Sequence, residues 1–338
     1  MTPISGNPAL VTLEKYMKAV FVDQPGGPEN LRYADLPKPE PGPGQALVRI
    51  AASGVNFIDI YFRTGLYKAP APVVLGMEAA GIVESVAPDV TSVKPGDRVA
   101  YAMNRGSHAE YAAVPAWQLV SVPEPLELKT AAALMLQGMT AHYLTHSTFP
   151  LKPGDTCLVS AAAGGVGLLL VQIAKKLGAT VIAMVGTEAK GELARETGAD
   201  HVIVYTATEF APEVKKLTGG RGADVFYDSV GASTFLPGLD SLRPRGMMVT
   251  YGNASGPVPE IAPLLLNQKG SLFLTRPTLA HYAATREELL WRTGDLFRWV
   301  LDGTLKIRIG GTYKMADVAQ AQRDLESRGT TGKLVLEP

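Results

Sequence analysis

Two different patterns of hydrophobic and polar residues divide the chain. Between Met17 and about Val122, short apolar runs are separated by turn clusters rich in proline and glycine, which is typical of an antiparallel, barrel-like β domain. These runs cover residues 18–22, 46–52, 79–86, 97–101 and 109–114. Between residues 154 and 277, apolar strands alternate with helical segments, as in a doubly wound parallel sheet. The predicted fold class is therefore α/β, with a β-rich domain followed by a doubly wound domain.

The second half yields a regular series of predicted elements. Strands are expected at 156–160, 180–185, 201–205, 223–227, 246–252 and 271–275, with helices at 167–177, 188–196, 208–217 and 232–241. Two further helices are expected at 130–144 and 285–302, and residues 333–336 form a strand that returns to the first domain. The predicted organisation is an N-terminal extension at 1–16, a first domain at 17–137 and 279–338, and a second domain at 138–278.

Composition and charge narrow the possible functions. The 338 residues are 46% hydrophobic and 19% charged, with no net charge, so nothing favours binding to nucleic acid or to an anionic membrane. No apolar stretch reaches membrane-spanning length without charges or prolines, and residues 1–16 lack the features of a signal peptide. The expected location is the cytoplasm. The one cysteine, Cys157, falls in a predicted strand and is expected to be a small buried hydrophobic residue.

A glycine-rich turn joins the first predicted strand of the second domain to its helix. Ala162, Gly164 and Gly167 take the first, third and sixth positions of the G-x-G-x-x-G fingerprint, which lets the backbone approach a pyrophosphate at a helix N-terminus. The flanking strands and helix strengthen this interpretation. The alternative is a glycine-rich connection that binds nothing. We expect four residues of the turn to contact a dinucleotide: Ala163, Gly164, Gly165 and Val166.

The end of the second predicted strand distinguishes between the two dinucleotides. An NAD site usually places a carboxylate there for the ribose 2′-hydroxyl. Here Gly186 occupies the end of the strand, and Glu188 falls at the start of the next helix, where a carboxylate commonly complements the helix dipole. Lys190 can instead reach a 2′-phosphate, with Tyr205 beside it. The sequence predicts NADPH; a solvated lysine and an unrelated strand-end tyrosine are the alternative.

Several short segments, in order along the chain, carry a resemblance to a known family. They are VNFID at 55–59, Tyr61 with RTGLY at 63–67, GMEAAG at 76–81, AAAGGVG at 161–167, YDSVG at 227–231, YGN at 251–253, NQKGSL at 267–272 and TRP at 275–277. From about Met17 to its end, the chain resembles the zinc-free quinone oxidoreductases of the medium-chain dehydrogenase/reductase superfamily, the group that includes zeta-crystallin. The resemblance implies a GroES-like barrel domain and a Rossmann domain, and NADPH-dependent reduction of quinones in the cleft between them. Catalysis would come mainly from proximity.

The resemblance also implies roles for individual residues. Asn56 would position the acceptor carbonyl or the nicotinamide ribose, and Tyr61 and Tyr67 would line the acceptor pocket, with one of them as a candidate proton donor. Two core tyrosines with satisfied hydroxyls are the alternative. Ligands of open α/β sheets lie at the carboxyl ends of strands, which independently supports Ser229 and Asn253. The implied cofactor contacts, beyond the glycine turn and the 2′-phosphate site, are Phe57, Ile58, Asp59, Thr140, Gly186, Ser229, Asn253 and Arg328. Asp59 could equally accept a structural hydrogen bond.

The positions of the superfamily's zinc ligands carry other residues in this chain. Residues 53–56 (SGVN) and 76–78 (GME) stand where the zinc alcohol dehydrogenases have a ligand cysteine and Gly-His-Glu. A catalytic zinc needs three protein ligands of N, S or O type, and that set is missing. His142 and His146 have a helical i, i+4 spacing, but they lack the adjacent glutamate of an H-E-x-x-H motif. We expect no metal.

Two other functions remain open at this point. A reductase of activated double bonds, such as those of 2-alkenals or enones, would share the zinc-free scaffold, and a binding or structural role would need NADPH only for stability. The residues also leave open whether a quinone takes a hydride or single electrons. Residues 271–275 (SLFLT) form a short apolar strand at the predicted sheet edge, which favours pairing with a second copy, and the resemblance implies a homodimer. The expected partner is a small-molecule quinone or another electron-poor acceptor, with no nucleic acid and no membrane.

Overall fold

The computed structural model describes residues 15–338, which form two compact units. The first unit contains the described residues up to Leu136 together with Ile309–Pro338, and the second contains Gln137–Arg308. The chain therefore returns to the first unit at Ile309, and not at residue 279 as expected. Residues 279–308 form hydrogen bonds within the second unit: Arg292 donates to His142 Nδ1 at 3.1 Å, and the Gln172 side chain bonds the backbone of Lys306.

Antiparallel strands dominate the first unit, as predicted. A three-stranded sheet places β1 (Tyr16–Val22) between β2 (Arg32–Pro37) and β4 (Val73–Val74). Tyr16 is thus a strand residue and not part of an extension, because its backbone pairs with Pro37; residues 1–14 of the expected extension lie outside the described residues. The larger sheet contains β3 (Gln45–Val55), β5 (Glu78–Val86), β6 (Arg98–Ala102), β7 (Tyr111–Pro115), β8 (Val120–Ser121), β15 (Ile309–Lys314) and β16 (Lys333–Glu337).

The order of the larger sheet brings three strand ends together. It runs β15-β16-β3-β5-β6-β8, with β7 also paired to β3. In the register, Leu334 of β16 lies opposite Val55 of β3, and Ser53 of β3 lies opposite Ala79 of β5. Gly81 permits the close approach of β3 and β5, since a Cβ there would lie 2.0 Å from the carbonyl oxygen of Arg49. The end of β3 and the starts of β5 and β16 are therefore neighbours.

Three helices accompany these strands. The first, α1 (Phe57–Arg63), follows directly after β3, and α10 (Val318–Glu326) lies between β15 and β16. Neither β15 nor α10 was predicted. The second helix, α2 (Leu128–Tyr143), begins in the first unit and continues into the second, where a π-helical turn at Leu144–Thr148 ends it.

The second unit is a six-stranded parallel sheet, which confirms the predicted doubly wound fold. Its strands are β9 (Thr156–Val159), β10 (Thr180–Val185), β11 (His201–Val204), β12 (Ala223–Asp228), β13 (Leu242–Thr250) and β14 (Phe273–Thr275). The order β11-β10-β9-β12-β13-β14 reverses direction between β9 and β12. In open α/β sheets, ligands bind outside the carboxyl ends of strands at such a switch point.

The helices of the second unit cover the sheet. They are α3 (Gly165–Lys176), α4 (Glu188–Glu196), α5 (Phe210–Leu217), α6 (Phe235–Ser241), α7 (Pro263–Gln268), α8 (Leu279–Tyr282) and α9 (Arg286–Leu301). The apolar face of α3 is buried at Leu169 and Ile173, and the helix stops before Gly178, whose φ of +81° favours glycine. The short helices α7 and α8 were not predicted.

A buried carboxylate joins the beginnings of two strands in this sheet. Asp224 of β12 accepts a hydrogen bond from the Thr156 N–H of β9 at 2.8 Å, and it contacts the guanidinium groups of Arg221 and Arg243. Burial alone would raise the pKa of Asp224, but the two arginines outweigh it and hold this pKa at about 2. The ionised form is therefore part of the folded state.

Candidate functional site

The turn between β9 and α3 has the geometry that a pyrophosphate requires. Gly164 is the N-cap of α3, with an extended backbone (φ −79°, ψ 175°), and it has no side chain to cap the helix. The N–H groups of the first turn lie at the positive end of the helix dipole. A Cβ at Gly167 would lie 2.4 Å from the carbonyl oxygen of Ala161, which is the close helix-to-strand contact expected of the last fingerprint glycine. The structure places residues 163–166 in this turn.

The residue that follows β10 carries no acidic side chain. Gly186 succeeds the strand, and a Cβ there would lie 3.8 Å from the Tyr205 hydroxyl. Lys190 lies in the first turn of α4, where its N–H donates to the Thr187 hydroxyl at 3.3 Å. Its side chain is half-buried, and burial lowers the pKa of Lys190. Glu188 is the exposed first residue of α4, so its position suits the helix dipole. The arrangement fits a 2′-phosphate, with the Tyr205 hydroxyl near Gly186 and Lys190 in the first turn of the helix that follows.

The loops after β12 and β13 meet at the carboxyl edge of the sheet. A Cβ at Gly252 would lie 2.4 Å from the carbonyl oxygen of Ser229, and the Ala254 N–H donates to the same oxygen at 3.2 Å. The two predicted contacts Ser229 and Asn253 are therefore brought together. Ser160, at the end of β9, accepts from the Ser229 N–H at 2.8 Å. Ser160 was not predicted from the sequence, although its place after a buried strand is the kind of signal that identified Ser229.

Asp228 shapes the loop after β12 from inside the second unit. Its buried carboxylate accepts from the N–H groups of Val230 and Gly231 and from the Thr234 hydroxyl. Burial raises the pKa of Asp228, against the lowering effect of these hydrogen bonds. The carboxylate therefore holds the backbone of the loop that carries Ser229.

Two predicted cofactor contacts lie apart from these loops in the chain. Thr140 is a buried residue of α2 within the second unit. Arg328 is an exposed residue of the first unit that follows α10, with a φ of +59° and an N–H bond to the Leu325 carbonyl. Their roles stay predictions.

The helix α1 brings together the residues predicted on the acceptor side. Tyr61 is 8% exposed and Tyr67 is 36% exposed, and their rings pack edge to face at 5.3 Å between centroids. Phe57 lies 6.3 Å from Tyr61, and both Phe57 and Ile58 are half-buried. The Tyr67 N–H bonds the Tyr61 carbonyl at 3.0 Å. These contacts form a compact aromatic group at α1.

Asn56 caps α1 and is held by two charged side chains that the sequence analysis did not assign to the site. Its Nδ2 donates to Glu78 Oε1 at 2.7 Å and to the Gly54 carbonyl at 3.4 Å, and its Oδ1 accepts from Lys333 Nζ at 2.7 Å. Glu78 belongs to the GMEAAG segment, but no local pattern marks Lys333, because it lies 277 positions after Asn56.

Asp59 completes the cap of α1 from the first turn of the helix. Its Oδ2 accepts from the Asn56 N–H at 2.8 Å, and His108 Nε2 lies 3.8 Å from the same oxygen. Burial raises the pKa of Asp59 to about 7 and lowers that of His108 to about 4. The structural role that was left open for Asp59 is therefore present, and its position beside Phe57 and Ile58 remains compatible with the predicted one.

The histidine pair that was weighed as a metal site is engaged in other contacts. The rings of His142 and His146 stack at 4.1 Å. His142 Nε2 lies 3.1 Å from Asp295 Oδ2, and its Nδ1 accepts from Arg292. Burial and the neighbouring His146 lower the pKa of His142 to about 4. Within residues 15–338, no group of three or more His, Cys, Asp or Glu side chains is placed to hold a metal ion.

The environment of the cysteine and the character of the helices bear on two further sequence expectations. Cys157 is buried and unpaired, and burial raises the pKa of its thiol to about 12, so the thiolate that reacts is scarce at neutral pH. Among the helices of the described part of the chain, none combines the length and the apolar character needed to cross a membrane.

Comparison with known proteins connects both units to oxidoreductases. Residues 42–124 match the model of the alcohol dehydrogenase GroES-like domain, and residues 165–289 match that of the zinc-binding dehydrogenases. A quinone oxidoreductase of Pseudomonas aeruginosa is 46% identical over 93% of this chain and 97% of its own length. A 2-haloacrylate reductase of a Burkholderia species is 43% identical over 95% of this chain and 98% of its own.

A solved structure extends the comparison to three dimensions. The Escherichia coli quinone oxidoreductase complexed with NADPH is 40% identical, covers 95% of this chain and 100% of its own, and superposes with a TM-score of 0.93. A GroES-like unit joined to a doubly wound unit with a phosphate-binding turn defines a medium-chain dehydrogenase/reductase. Within that superfamily, the identity to full-length relatives shows that the chain belongs to the quinone oxidoreductase family. The family resemblance of the sequence segments is confirmed.

Proposed function

We propose that this protein reduces quinones with NADPH. The observation that carries the proposal is the end of β10, where Gly186 leaves no carboxylate for a ribose 2′-hydroxyl. The Tyr205 hydroxyl lies 3.8 Å from a Cβ placed at Gly186, and the half-buried Lys190 follows in the first turn of α4. A 2′-phosphate suits this pair of donors, since hydrogen bonds to a charged group are stronger than neutral ones. The relatives named as quinone oxidoreductases, one of them complexed with NADPH, support the cofactor and the acceptor class.

The residues of the second unit bind and orient the dinucleotide in this proposal. When bound, NADPH supplies the reducing equivalents at its nicotinamide ring. The first turn of α3, with residues 163–166, receives the pyrophosphate, and Lys190 and Tyr205 hold the 2′-phosphate. Ser229 and Asn253 contact the nicotinamide half from two loops that touch each other. Thr140 and Arg328 are proposed as further contacts.

The residues of α1 receive the acceptor. Tyr61 and Tyr67 present a packed aromatic surface, and Phe57 and Ile58 add apolar area beside it. The amide of Asn56 bonds Glu78, Gly54 and Lys333, so we propose that Asn56 acts mainly by fixing the start of α1. Rate enhancement then comes from holding two reactants in one geometry, which can supply several kcal/mol of the barrier.

An acceptor assay tests the proposal. Purified protein is mixed with NADPH and either 1,4-benzoquinone or 1,4-naphthoquinone, and the loss of the reduced-nicotinamide absorbance is followed. We expect rapid oxidation with both quinones, slower oxidation when NADH replaces NADPH, and no change when a metal chelator is added. Loss of activity with the chelator would contradict the metal-free mechanism, and tight NADPH binding without any turnover would favour a binding or structural role.

Reduction of activated double bonds is the second candidate. A 2-haloacrylate reductase supports it, since this relative is 43% identical over 95% of this chain and 98% of its own length. A 2-haloacrylate and a 2-alkenal are both electron-poor alkenes, and they would lie against the same aromatic surface at α1. Turnover of either alkene well above that of any quinone would move the assignment to this class.

We also propose that the protein forms a homodimer through β14. This strand is at the end of the sheet order, and its residue Phe273 is 58% exposed. Leu264 of α7 is also 62% exposed, so the second unit has more than one exposed apolar side chain. An apolar edge strand is a template for pairing with another strand. Light scattering should show a dimer for the wild type and a monomer for Phe273→Lys; a monomeric wild type would contradict the proposal.

The cytoplasm is the proposed location. The only cysteine is buried without a partner, so the chain contains no internal disulfide, in keeping with a reducing compartment. Fractionation of cells that express the protein should recover it with the cytoplasmic marker enzymes, whereas recovery with the membrane fraction would contradict the location.

A further inference from the structure

A buried group of three polar side chains joins the start of α1 to two strands of the first unit. Glu78 begins β5, Lys333 begins β16 and Asn56 precedes α1, and all three are buried. Lys333 Nζ forms an ion pair with Glu78 Oε1, and it donates to Asn56 Oδ1 at 2.7 Å and to the Val55 carbonyl at 3.1 Å. Asn56 Nδ2 closes the triangle by donating to Glu78 Oε1 at 2.7 Å.

The carboxylate of Glu78 has a second connection, to the helix α2. Its Oε2 accepts from the Leu136 N–H at 2.5 Å, and Leu136 is the last residue of the first unit before the chain continues into the second. The backbone of Glu78 is also fixed, since its carbonyl accepts from the Ser53 hydroxyl and its N–H donates to the Ser107 hydroxyl. One side chain therefore links α1, α2 and β16.

Stability alone does not account for this choice of residues. A buried ion pair is expensive to desolvate, and well-packed hydrophobic residues of similar volume are often equally stable. The charged pair can orient a neighbouring amide, which apolar residues cannot do. Its cation meets the oxygen of the Asn56 carboxamide and its carboxylate meets the nitrogen, so the amide has one favoured orientation. Through Asn56 and the neighbouring Val55 carbonyl, the pair fixes the point at which α1 begins.

We propose that Glu78 and Lys333 are positioning residues that hold α1, through Asn56, so that Tyr61 and Tyr67 meet the acceptor. Tyr61 belongs to α1 itself, and Tyr67 packs against Tyr61 both by its ring and by a backbone hydrogen bond. A shift at the start of the helix is therefore passed to both rings. The inference rests on the proposed role of these tyrosines in binding the acceptor.

The decisive experiment uses the double variant Glu78→Leu/Lys333→Met, which removes both charges together. Neither charge is left unpaired, but the Asn56 amide, the Leu136 N–H and the Val55 carbonyl each lose a hydrogen bond, so we expect a lower urea midpoint with a single cooperative transition. NADPH affinity should be unchanged. The kcat/KM for the quinone should fall roughly 10- to 100-fold, since a displacement of about 1 Å can cost that much. Hydrogen exchange in peptides that cover residues 56–67 should become faster.

Two comparison variants keep the test decisive. Lys129→Met removes a surface ion pair between α2 and Glu337 of β16, and it should change neither kcat/KM nor exchange in 56–67. Glu78→Gln keeps the shape of the side chain and serves as the test if the double variant does not fold. It should also speed up exchange in residues 56–67 and lower kcat/KM, with both changes smaller than those expected for the double variant. Wild-type kcat/KM and wild-type exchange at 56–67 in a folded double variant, or in Glu78→Gln, would overturn the inference.

The two proposals fail in different ways. If the wild-type protein reduces no acceptor, the proposed function is wrong, while exchange in residues 56–67 still shows whether Glu78 and Lys333 hold α1. If the wild type reduces quinones and the variants match it in both measurements, the positioning role is wrong and the proposed function stands.

Discussion

The replacement of Lys190 by alanine is the sharpest test of the cofactor assignment. Lys190 lies in the first turn of α4, after Gly186 at the end of β10. Glu188 is exposed at the start of the same helix, so the variant removes the positive charge and leaves this carboxylate unchanged. The half-buried position lowers the pKa of Lys190 by desolvation, and a bound phosphate would offset this cost by favouring the charged ammonium group.

The expected size of the effect follows from the contact that is lost. A hydrogen bond to a charged group contributes about 1.5 to 3 kcal/mol, which corresponds to a roughly 10- to 150-fold weaker affinity for NADPH. NADH has no 2′-phosphate, so its affinity should change little. Because the pKa of Lys190 is lowered, NADPH affinity should also decline towards alkaline pH earlier than it would beside an ordinary lysine, and the affinity for NADH should not follow.

Fluorescence titration of both dinucleotides measures these changes. Lys216→Ala is the matched control, since Lys216 is an exposed lysine of the same unit and contacts only Glu213 among the ion pairs of the described residues. It should leave both affinities unchanged. Equal losses for NADPH and NADH in Lys190→Ala would refute the reasoning, because the variant would then have disturbed the whole binding turn and not the 2′-phosphate contact.

Three further predictions address the folding of the site. Gly167→Ala should weaken dinucleotide binding and lower the thermal midpoint, since its Cβ would lie 2.4 Å from a backbone oxygen. Gly294→Ala on α9 places its Cβ in open space, so this variant should raise the free energy of unfolding by roughly 0.5 to 1 kcal/mol. Equal effects of the two variants would contradict the packing argument. Asp224→Asn should cost on the order of 1 kcal/mol at neutral pH, since solvent screens the partly exposed arginines, and the difference from the wild type in urea titrations should vanish as the pH falls from about 4 to about 2. For Asp59, whose folded pKa is raised, the wild type should lose stability relative to Asp59→Asn as the pH rises from about 4 to about 7; a constant difference would count against the buried acid.

The local elements of the second unit could be predicted because their signals are local. The helix α3 combines a glycine turn at its start, apolar residues on one face and Gly178 after its end, and each of these lies within a few residues. The alternation of strands and helices then gave the parallel sheet. Ser229 and Asn253 followed from their places after strands, and the structure brings their loops together.

The parts that could not be predicted depend on contacts between distant residues. The ion pair between Glu78 and Lys333 spans 255 positions, and neither residue shows in its own neighbourhood that it is buried. Residues 279–308 have a helical pattern that reveals an apolar face but not the unit it packs against. That choice is made by contacts such as Arg292 with His142. The strand β15 is half-exposed along its length, so it lacks the apolar run that marked the other strands.

The central claim is that NADPH and a quinone are the natural pair for this site, and a single comparison tests it most directly. The kcat/KM values for 1,4-naphthoquinone and for a 2-haloacrylate are measured with NADPH on the same preparation of the wild-type protein. The account predicts a clearly higher value for the quinone, and a loss of that value when NADH replaces NADPH at the same concentration. A higher value for the haloacrylate, or equal rates with both dinucleotides, would contradict it.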